Sequence, residues 1–283
     1  MIPGKWDRRI NRANELASKY PFASEGLRFY GRVATFQKRF YSAIHRELAD
    51  SPKSSAGRAL REELDLFLLL PNFSPFLSVI QQAAPEPLAQ AAYALSQKGP
   101  AAWQRMIEDF WQGPSEMDVS SVEQEGPVAT NSEGAYSAVI AWIFLQPYAE
   151  YLADHRAPES LDETPSTCPL CGGKPLVGVL RTEGDGAKKS LICMLCGHEW
   201  NFRRLYCPSC GEEREPQMAF YSAPEIAHVR VDVCDTCHTY LKSIDLTKTG
   251  LAVPVVDELA TIPLDLWAQE HGYKKLQINL LGT

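Results

Sequence analysis

The arrangement of eight cysteines constrains this chain of 283 residues more than any other feature, because every cysteine belongs to a pair separated by two residues. Such spacing forms a tight turn that aims both sulfur atoms at one point, and two turns supply the four thiolates of a tetrahedral metal site. The sequence therefore predicts two tetrathiolate sites with these ligands: Cys168, Cys171, Cys193, Cys196, Cys207, Cys210, Cys234 and Cys237.

The order of the four turns, or knuckles, favours two tandem modules. Pairing in chain order joins the first knuckle with the second and the third with the fourth, each across a hairpin. It is favoured over interleaved pairing because a shorter loop costs less entropy to close. Glycine follows the second cysteine of three knuckles, at Gly172, Gly197 and Gly211, where it permits a positive φ. These features are typical of zinc ribbons and rubredoxins.

Three other uses of paired cysteines fit the sequence less well. Disulfides are disfavoured because the chain has the features of a cytoplasmic protein, in which thiols stay reduced. A thioredoxin-type redox site requires a βαβ pattern around the cysteine pair, and the sequence shows none. Residues 234–238 match the string that attaches c-type haem, but attachment requires export and would strip the fourth knuckle of its partners. His198 and His238 are interpreted as neighbours of the sulfur atoms and not as ligands.

Residues 1–154 are predicted to form an all-helical, bundle-like domain. Apolar residues recur there every three or four positions, which is the pattern of amphipathic helices. Pro71 is expected to end one helix, because proline interrupts helical hydrogen bonding. The acidic stretch 115–133 is expected to be a loop. Proline and glycine near the ends of apolar runs predict helices at Pro87–Ser96 and Pro100–Gln112, and a further apolar run predicts one at Ala135–Tyr151.

The cysteine-bearing half is predicted to contain short strands. The polar stretch 155–166 is interpreted as a linker, followed by two ribbons, 167–204 and 205–248, and by a C-terminal helix and tail, 249–283. The helix itself is predicted at Asp265–His271. The expected fold class is α+β, with two tandem rubredoxin-like or zinc-ribbon-like modules after the helical domain. Alternating strand patterns occur at Leu176–Thr182, Ser190–Met194, Met218–Ser222, His228–Val233 and Tyr240–Leu246.

Composition and motifs narrow the function to a binding protein that is not an enzyme. The sequence lacks a P-loop, a nucleophile elbow, a dinucleotide-binding glycine motif and a zinc-protease motif, so no catalytic residue is predicted. Two closed sets of four cysteines also leave no open position for substrate at a metal. The formal net charge of −7 disfavours nucleic acid, although a nucleic-acid-binding zinc ribbon remains an alternative.

The chain is expected to be cytoplasmic and to lack a membrane span. Its longest apolar run, Ala135–Leu145, is shorter than the roughly 20 apolar residues that a spanning helix requires. No apolar segment follows the charged N-terminal residues before Ala23, so a secretory signal is not expected. The sequence does not predict an oligomeric state.

Three strings of residues resemble the FdhE family of formate dehydrogenase accessory, or formation, proteins. They are Cys193–Phe202, Cys234–Lys242 and Asp257–Ala268, and they accompany the four knuckles in this order. All eight cysteines carry over to the family pattern. His238 departs from it, since glycine is commoner after the second cysteine of a knuckle, and this puts the geometry of the fourth knuckle in question.

The resemblance implies an assembly factor that acts in the cytoplasm on a respiratory formate dehydrogenase. Such a factor would bind the catalytic subunit before export, and its rubredoxin-like sites would hold iron. The residues themselves leave the metal open, because four thiolates suit zinc as well as iron. They also leave open a rubredoxin-like function in electron transfer or redox sensing.

Overall fold

A computed structural model describes residues 4–49, 59–113, 132–156, 164–184 and 186–282. The chain forms two compact units, one of Met1–Gly31 with Pro158–Thr283 and the other of Arg32–Ala157. The predicted helical domain, 1–154, is thus divided, because its first 31 residues group with the cysteine-bearing half. Most of the predicted loop 115–133 and of the predicted linker 155–166 lies outside the described residues.

The helices of the first half bear out the helical part of the predicted α+β fold. The helices predicted at 87–96, 100–112 and 135–151 all form, and the first and third are longer than predicted. A short 3-10 helix, Leu60–Glu62, precedes α3 along the chain. The helices are α1 (Lys5–Lys19), α2 (Ser24–Leu48), α3 (Leu66–Ala83), α4 (Glu86–Lys98), α5 (Pro100–Gln112) and α6 (Ser132–Asp154).

Helix α3 continues through two prolines, so the prediction that a helix ends at Pro71 is wrong. Pro71 and Pro75 both lie inside α3, and each removes a backbone donor. An interior proline destabilises a helix by about 3 kcal/mol. Burial of five large apolar side chains outweighs this loss, because each one stabilises the fold by about 1.5–3 kcal/mol. The buried side chains are Leu69, Phe73, Phe76, Leu77 and Ile80.

The core of the helical unit is aromatic. The ring of Phe144 in α6 lies 4.9 Å from Phe73, 5.3 Å from Phe76 and 5.2 Å from Phe40, measured between centroids. Among the described residues, α3 alone is long and apolar enough in composition to cross a membrane, with a mean hydropathy of 1.3. Its buried residues Phe73 and Phe76 pack against Phe144, and 28% of the apolar window is buried.

The strands of the second half form one seven-stranded sheet. The first three, β1 (Pro175–Glu183), β2 (Gly186–Cys193) and β3 (Glu199–Phe202), make an antiparallel meander. The next three, β4 (Met218–Ser222), β5 (Val229–Cys234) and β6 (Thr239–Asp245), make a second one. The five predicted strands are present, whereas β3 was not predicted.

The two meanders join through a parallel pair at the centre of the sheet. Strand β1 pairs with β6, with Gly178 opposite Ser243 and Leu180 opposite Asp245, which gives the strand order β3-β2-β1-β6-β5-β4. A short strand, β7 (Lys274–Lys275), extends the same edge of β6. The two predicted ribbons therefore share one sheet and one core.

Two short helices cover the core of this sheet. They are α7 (Pro254–Leu259), which was not predicted, and α8 (Ile262–Glu270), which begins three residues before the predicted helix. Apolar side chains of β1, β5 and β6 meet Leu264 and Ala268 of α8 in a single cluster. This core fixes the positions of the strands, and the knuckles lie at the strand ends.

Candidate metal centres

The eight predicted ligands form two separate clusters in the predicted pairing. Cys168, Cys171, Cys193 and Cys196 make the first centre, and Cys207, Cys210, Cys234 and Cys237 make the second. Within each set the sulfur atoms all lie within 4.8 Å of one another. The prediction of sequential pairing is confirmed, because interleaved pairing would mix the two sets.

Each centre lies where hairpin strands meet loops. In the first centre, one knuckle precedes β1 and the other begins at Cys193, the last residue of β2. In the second centre, one knuckle precedes β4 and the other begins at Cys234, the last residue of β5. Antiparallel pairing of β1 with β2 and of β4 with β5 brings the paired knuckles to the same end of each hairpin.

Backbone hydrogen bonds shape the first three knuckles in the same way. The N–H of the first cysteine donates to the carbonyl five residues later, at 2.8 Å from Cys168, 2.9 Å from Cys193 and 2.8 Å from Cys207. One further N–H in each knuckle, from Gly173, Leu195 and Ser209, donates to a cysteine sulfur at 3.4 Å. Such N–H donors favour a thiolate over a thiol.

His238 takes the backbone conformation that glycine provides in the other knuckles. Its φ is 54°, against 71° at Gly172, 64° at Gly197 and 78° at Gly211. Histidine is among the residues that occupy this left-handed region more often than others. The departure from glycine at this position is therefore accommodated by the backbone, and the fourth knuckle keeps the common turn.

The distances between sulfur atoms fit a tetrahedral metal ion. Bonds of about 2.3 Å from a central ion require sulfur atoms separated by about 3.8 Å. The separations are 3.6 and 3.3 Å across the first centre, for Cys168–Cys196 and Cys171–Cys193. They are 3.7 and 3.6 Å across the second, for Cys207–Cys237 and Cys210–Cys234. Both sets can hold one metal ion with four thiolates.

Hydrogen bonds within each cluster lower the pKa of one cysteine. In the first centre, hydrogen bonds from Cys168, Cys193 and Cys196 lower the pKa of Cys171, while burial raises the pKa of Cys193. In the second, burial alone would raise the pKa of Cys237, but hydrogen bonds involving Thr239 and Cys210 bring that pKa to about 7. The thiolate is the form that binds metal.

The two centres differ in exposure. The first-centre cysteines are at most 5% exposed. In the second centre, Cys210 is exposed and Cys237 is half-buried. Glu212 connects the knuckles of the second centre, because its carboxylate accepts hydrogen bonds from Arg214 at 2.8 Å and from Thr236 at 2.8 Å.

A buried ionic network beside the sheet was missed by sequence reasoning. Lys242 of β6 lies 3.0 Å from Glu258 and 2.5 Å from Asp265, and Lys275 of β7 contacts the same two carboxylates at 2.5 and 2.9 Å. Burial alone would raise the pKa of Asp265, but the charges of Lys242 and Lys275 lower it. The two positive and two negative charges balance, which satisfies the usual condition for burying ions.

Known proteins resemble this chain over both halves. Models of the FdhE central domain and the FdhE C-terminal domain match residues 167–204 and 205–281. A protein described as an FdhE homologue from Aquifex aeolicus is 27% identical, with 96% of this chain and 94% of that protein aligned. One from Shewanella oneidensis is 33% identical, but the match covers 40% of this chain and only 37% of that protein.

A solved structure shares the fold of the whole chain. The crystal structure of the FdhE protein from Pseudomonas aeruginosa matches with a TM-score of 0.64 and 23% identity, over 99% of this chain and 97% of the other. The two FdhE domain models follow each other without a gap, and their boundary at 204/205 falls between the two cysteine clusters. Residues 167–281 therefore comprise the central and C-terminal domains of the FdhE family, and the chain is similar to an FdhE homologue along nearly its whole length.

Proposed function

We propose that this protein is a cytoplasmic accessory factor for a respiratory formate dehydrogenase, and that it binds the immature catalytic subunit before export. The observation that carries the proposal is the pair of closed four-cysteine clusters within the FdhE central and C-terminal domains. A closed tetrathiolate site stabilises a fold and leaves no coordination position for a substrate. Such sites support a role in binding without catalysis.

The metal ions would be held by the eight cysteines alone. A bound ion would neutralise part of the thiolate charge and tie two knuckles into one rigid unit. Among the described residues, no further group of three or more histidine, cysteine or carboxylate side chains is placed to hold a metal. The protein's own contribution is to position the knuckles with the strand ends of β2 and β5 and with N–H donors to sulfur.

We infer iron as the metal from the family resemblance, with zinc as the alternative. Metal analysis and an absorption spectrum of protein purified without added metal distinguish them. Two equivalents of iron with visible charge-transfer bands support the iron assignment. Two equivalents of zinc without colour contradict it and leave the binding function in place.

The binding function is tested by recovery of the partner from anaerobic cells. The tagged chain is expressed together with the formate dehydrogenase catalytic subunit, made either with or without its export segment. Recovery of the unexported subunit is expected. A matched tagged variant, Glu15→Ala, changes an exposed side chain that belongs to neither cysteine cluster and should recover the same amount. Repeated failure with folded, metal-loaded protein would contradict the proposal.

A second candidate function is electron transfer, which the exposure of Cys210 favours. An iron ion close to the surface can exchange electrons with another protein over a short distance. A reversible one-electron wave per centre in voltammetry of the iron-loaded protein is the expected result. Absence of a wave, or protein that carries only zinc from iron-replete cells, would remove this candidate.

A further inference from the structure

We propose that the second centre is a metal-exchange site, whereas the first centre is a permanent structural site. The inference goes beyond the proposed function and does not depend on a formate dehydrogenase partner. It concerns which of two similar ligand sets can pass its ion to an incoming donor. The argument rests on what covers the sulfur atoms of each centre.

The residues between the cysteines differ in kind between the second and the fourth knuckles. In the second knuckle they are Met194 and Leu195, which are 4% and 1% exposed. In the fourth they are Asp235 and Thr236, and both are exposed. An apolar cover thus excludes water and soluble ligands from the first centre. The corresponding residues of the second centre are polar and exposed to solvent.

The sulfur atoms follow the same division. All four cysteines of the first centre are buried, whereas Cys210 is exposed and Cys237 half-buried in the second. Thiolate reactivity requires access as well as ionisation, and buried structural cysteines are inert. Cys210 is therefore the point at which another donor can approach the second ion.

The exchange is a ligand substitution without any change of oxidation state. An incoming nitrogen or sulfur donor forms a bond to the ion while the bond from Cys210 Sγ breaks, and the released thiolate takes a proton from water. Repetition at the remaining three cysteines transfers the ion to the acceptor. A thiol-bearing or chelating acceptor suits this chemistry, because soft ligands compete best with thiolates.

Glu212 is the side chain that opposes opening of the second centre. It follows the third knuckle, and its bond from Thr236 holds the fourth knuckle against it. Loss of this bond should let the two knuckles separate more often. The first centre offers a matched control, since Ser190 of β2 likewise donates its hydroxyl to a carboxylate, that of Glu199.

The test uses the full chain loaded with two equivalents of zinc and the chromogenic chelator 4-(2-pyridylazo)resorcinol. The expected result is fast loss of one equivalent and retention of the other. N-ethylmaleimide, added after the fast phase, should then label Cys207, Cys210, Cys234 and Cys237 in mass spectrometry. The first-centre cysteines should stay unlabelled until the protein is denatured.

Variants decide whether the Glu212 contact controls the exchange. Thr236→Val should accelerate only the fast phase, and Ser190→Ala should leave it unchanged. Glu212→Gln provides a second variant if Thr236→Val does not fold. Loss of both equivalents at one rate, loss of neither, or earlier labelling of the first-centre cysteines would each overturn the proposal.

Discussion

Arg12 in α1 and Asp257 in α7 form a two-point ion pair, with Nε at 3.0 Å and Nη2 at 2.5 Å from the two carboxylate oxygens. The side chains are 9% and 1% exposed, so the pair is largely removed from water. His228 adds a third contact to Asp257 at 2.9 Å. Through this pair the N-terminal helix is part of the unit that carries both metal centres.

Arg12→Met should destabilise this unit strongly. Removing one partner leaves Asp257 buried without its main counter-charge, which typically costs about 3–5 kcal/mol. Urea unfolding followed by circular dichroism measures the loss. Glu15→Ala removes the exposed second partner of Arg12 and should cost less than about 1 kcal/mol. Equal stability of Arg12→Met and the parent protein would contradict the prediction.

Asp257 should also give the folded protein an acid-labile component. Burial alone would raise the pKa of Asp257, but hydrogen bonds from His228 and Arg12 and the charge of Arg12 lower it below the ordinary value of 3.8. Because the folded pKa is the lower one, the stabilisation is complete above the unfolded pKa. It is lost as the pH falls through the folded pKa.

The measurement compares the unfolding free energies of the parent protein and the Asp257→Asn variant from about pH 6 down to about pH 2. Carboxylates titrate within roughly this range. The parent should lose more stability with acid than the variant. Acid also releases thiolate-bound metal, so bound metal is determined at each pH. Parallel curves at equal metal content would show that Asp257 contributes nothing to the acid response.

Gly178→Ala should weaken the parallel joint between the two meanders. A Cβ at Gly178 would lie 2.2 Å from Ser243 Oγ and 3.2 Å from its Cβ, and Ser243 is held by a bond to Asp232 at 2.6 Å. The crowding should cost about 1–3 kcal/mol in thermal or urea unfolding. Gly186→Ala is the control in the same sheet, since its nearest atom is 3.9 Å away. Equal effects of the two substitutions would contradict the argument.

His238→Gly should retain the second metal ion and stabilise the fold slightly. Glycine removes the strain of a side chain at positive φ, which is worth about 1 kcal/mol. His238→Val should lose the ion, because a β-branched residue is an outlier in this region. Metal stoichiometry and melting temperature test both variants. Retention of two ions by His238→Val would show that the fourth knuckle tolerates another backbone.

The metal centres were predictable because their chemistry is local. Two cysteines separated by two residues must face the same way, and the shorter loops decided the pairing. The positions of most strands were predictable for the same reason, because the alternation of apolar and polar residues is also a local pattern. The joint between β1 and β6 was not predictable, since it depends on Gly178 meeting Ser243 across 65 positions of sequence, and no local period encodes that contact.

The buried ionic network was not predictable from the sequence for a different reason. Lys242 occupies a polar position in an alternating strand, which predicts an outward side chain, yet it is fully buried. Its burial depends on Glu258 and Asp265, which come from two helices later in the chain. A hydropathy pattern treats each residue separately, so it cannot predict the burial of charged residues that neutralise one another. The string 257–268 was informative only through its resemblance to the family.

The boundary at 204/205 separates two domain models, but β1 and β6 pair across it. A fragment that begins at residue 205 would keep its four cysteines and still expose the hydrogen-bonding edge of β6 that β1 covers in the whole chain. Uncovered strand edges of this kind recruit further strands and lead to aggregation. A recombinant second ribbon is therefore a poor substitute for the intact protein, and insolubility of such a fragment would reflect its missing neighbour and not a faulty metal site.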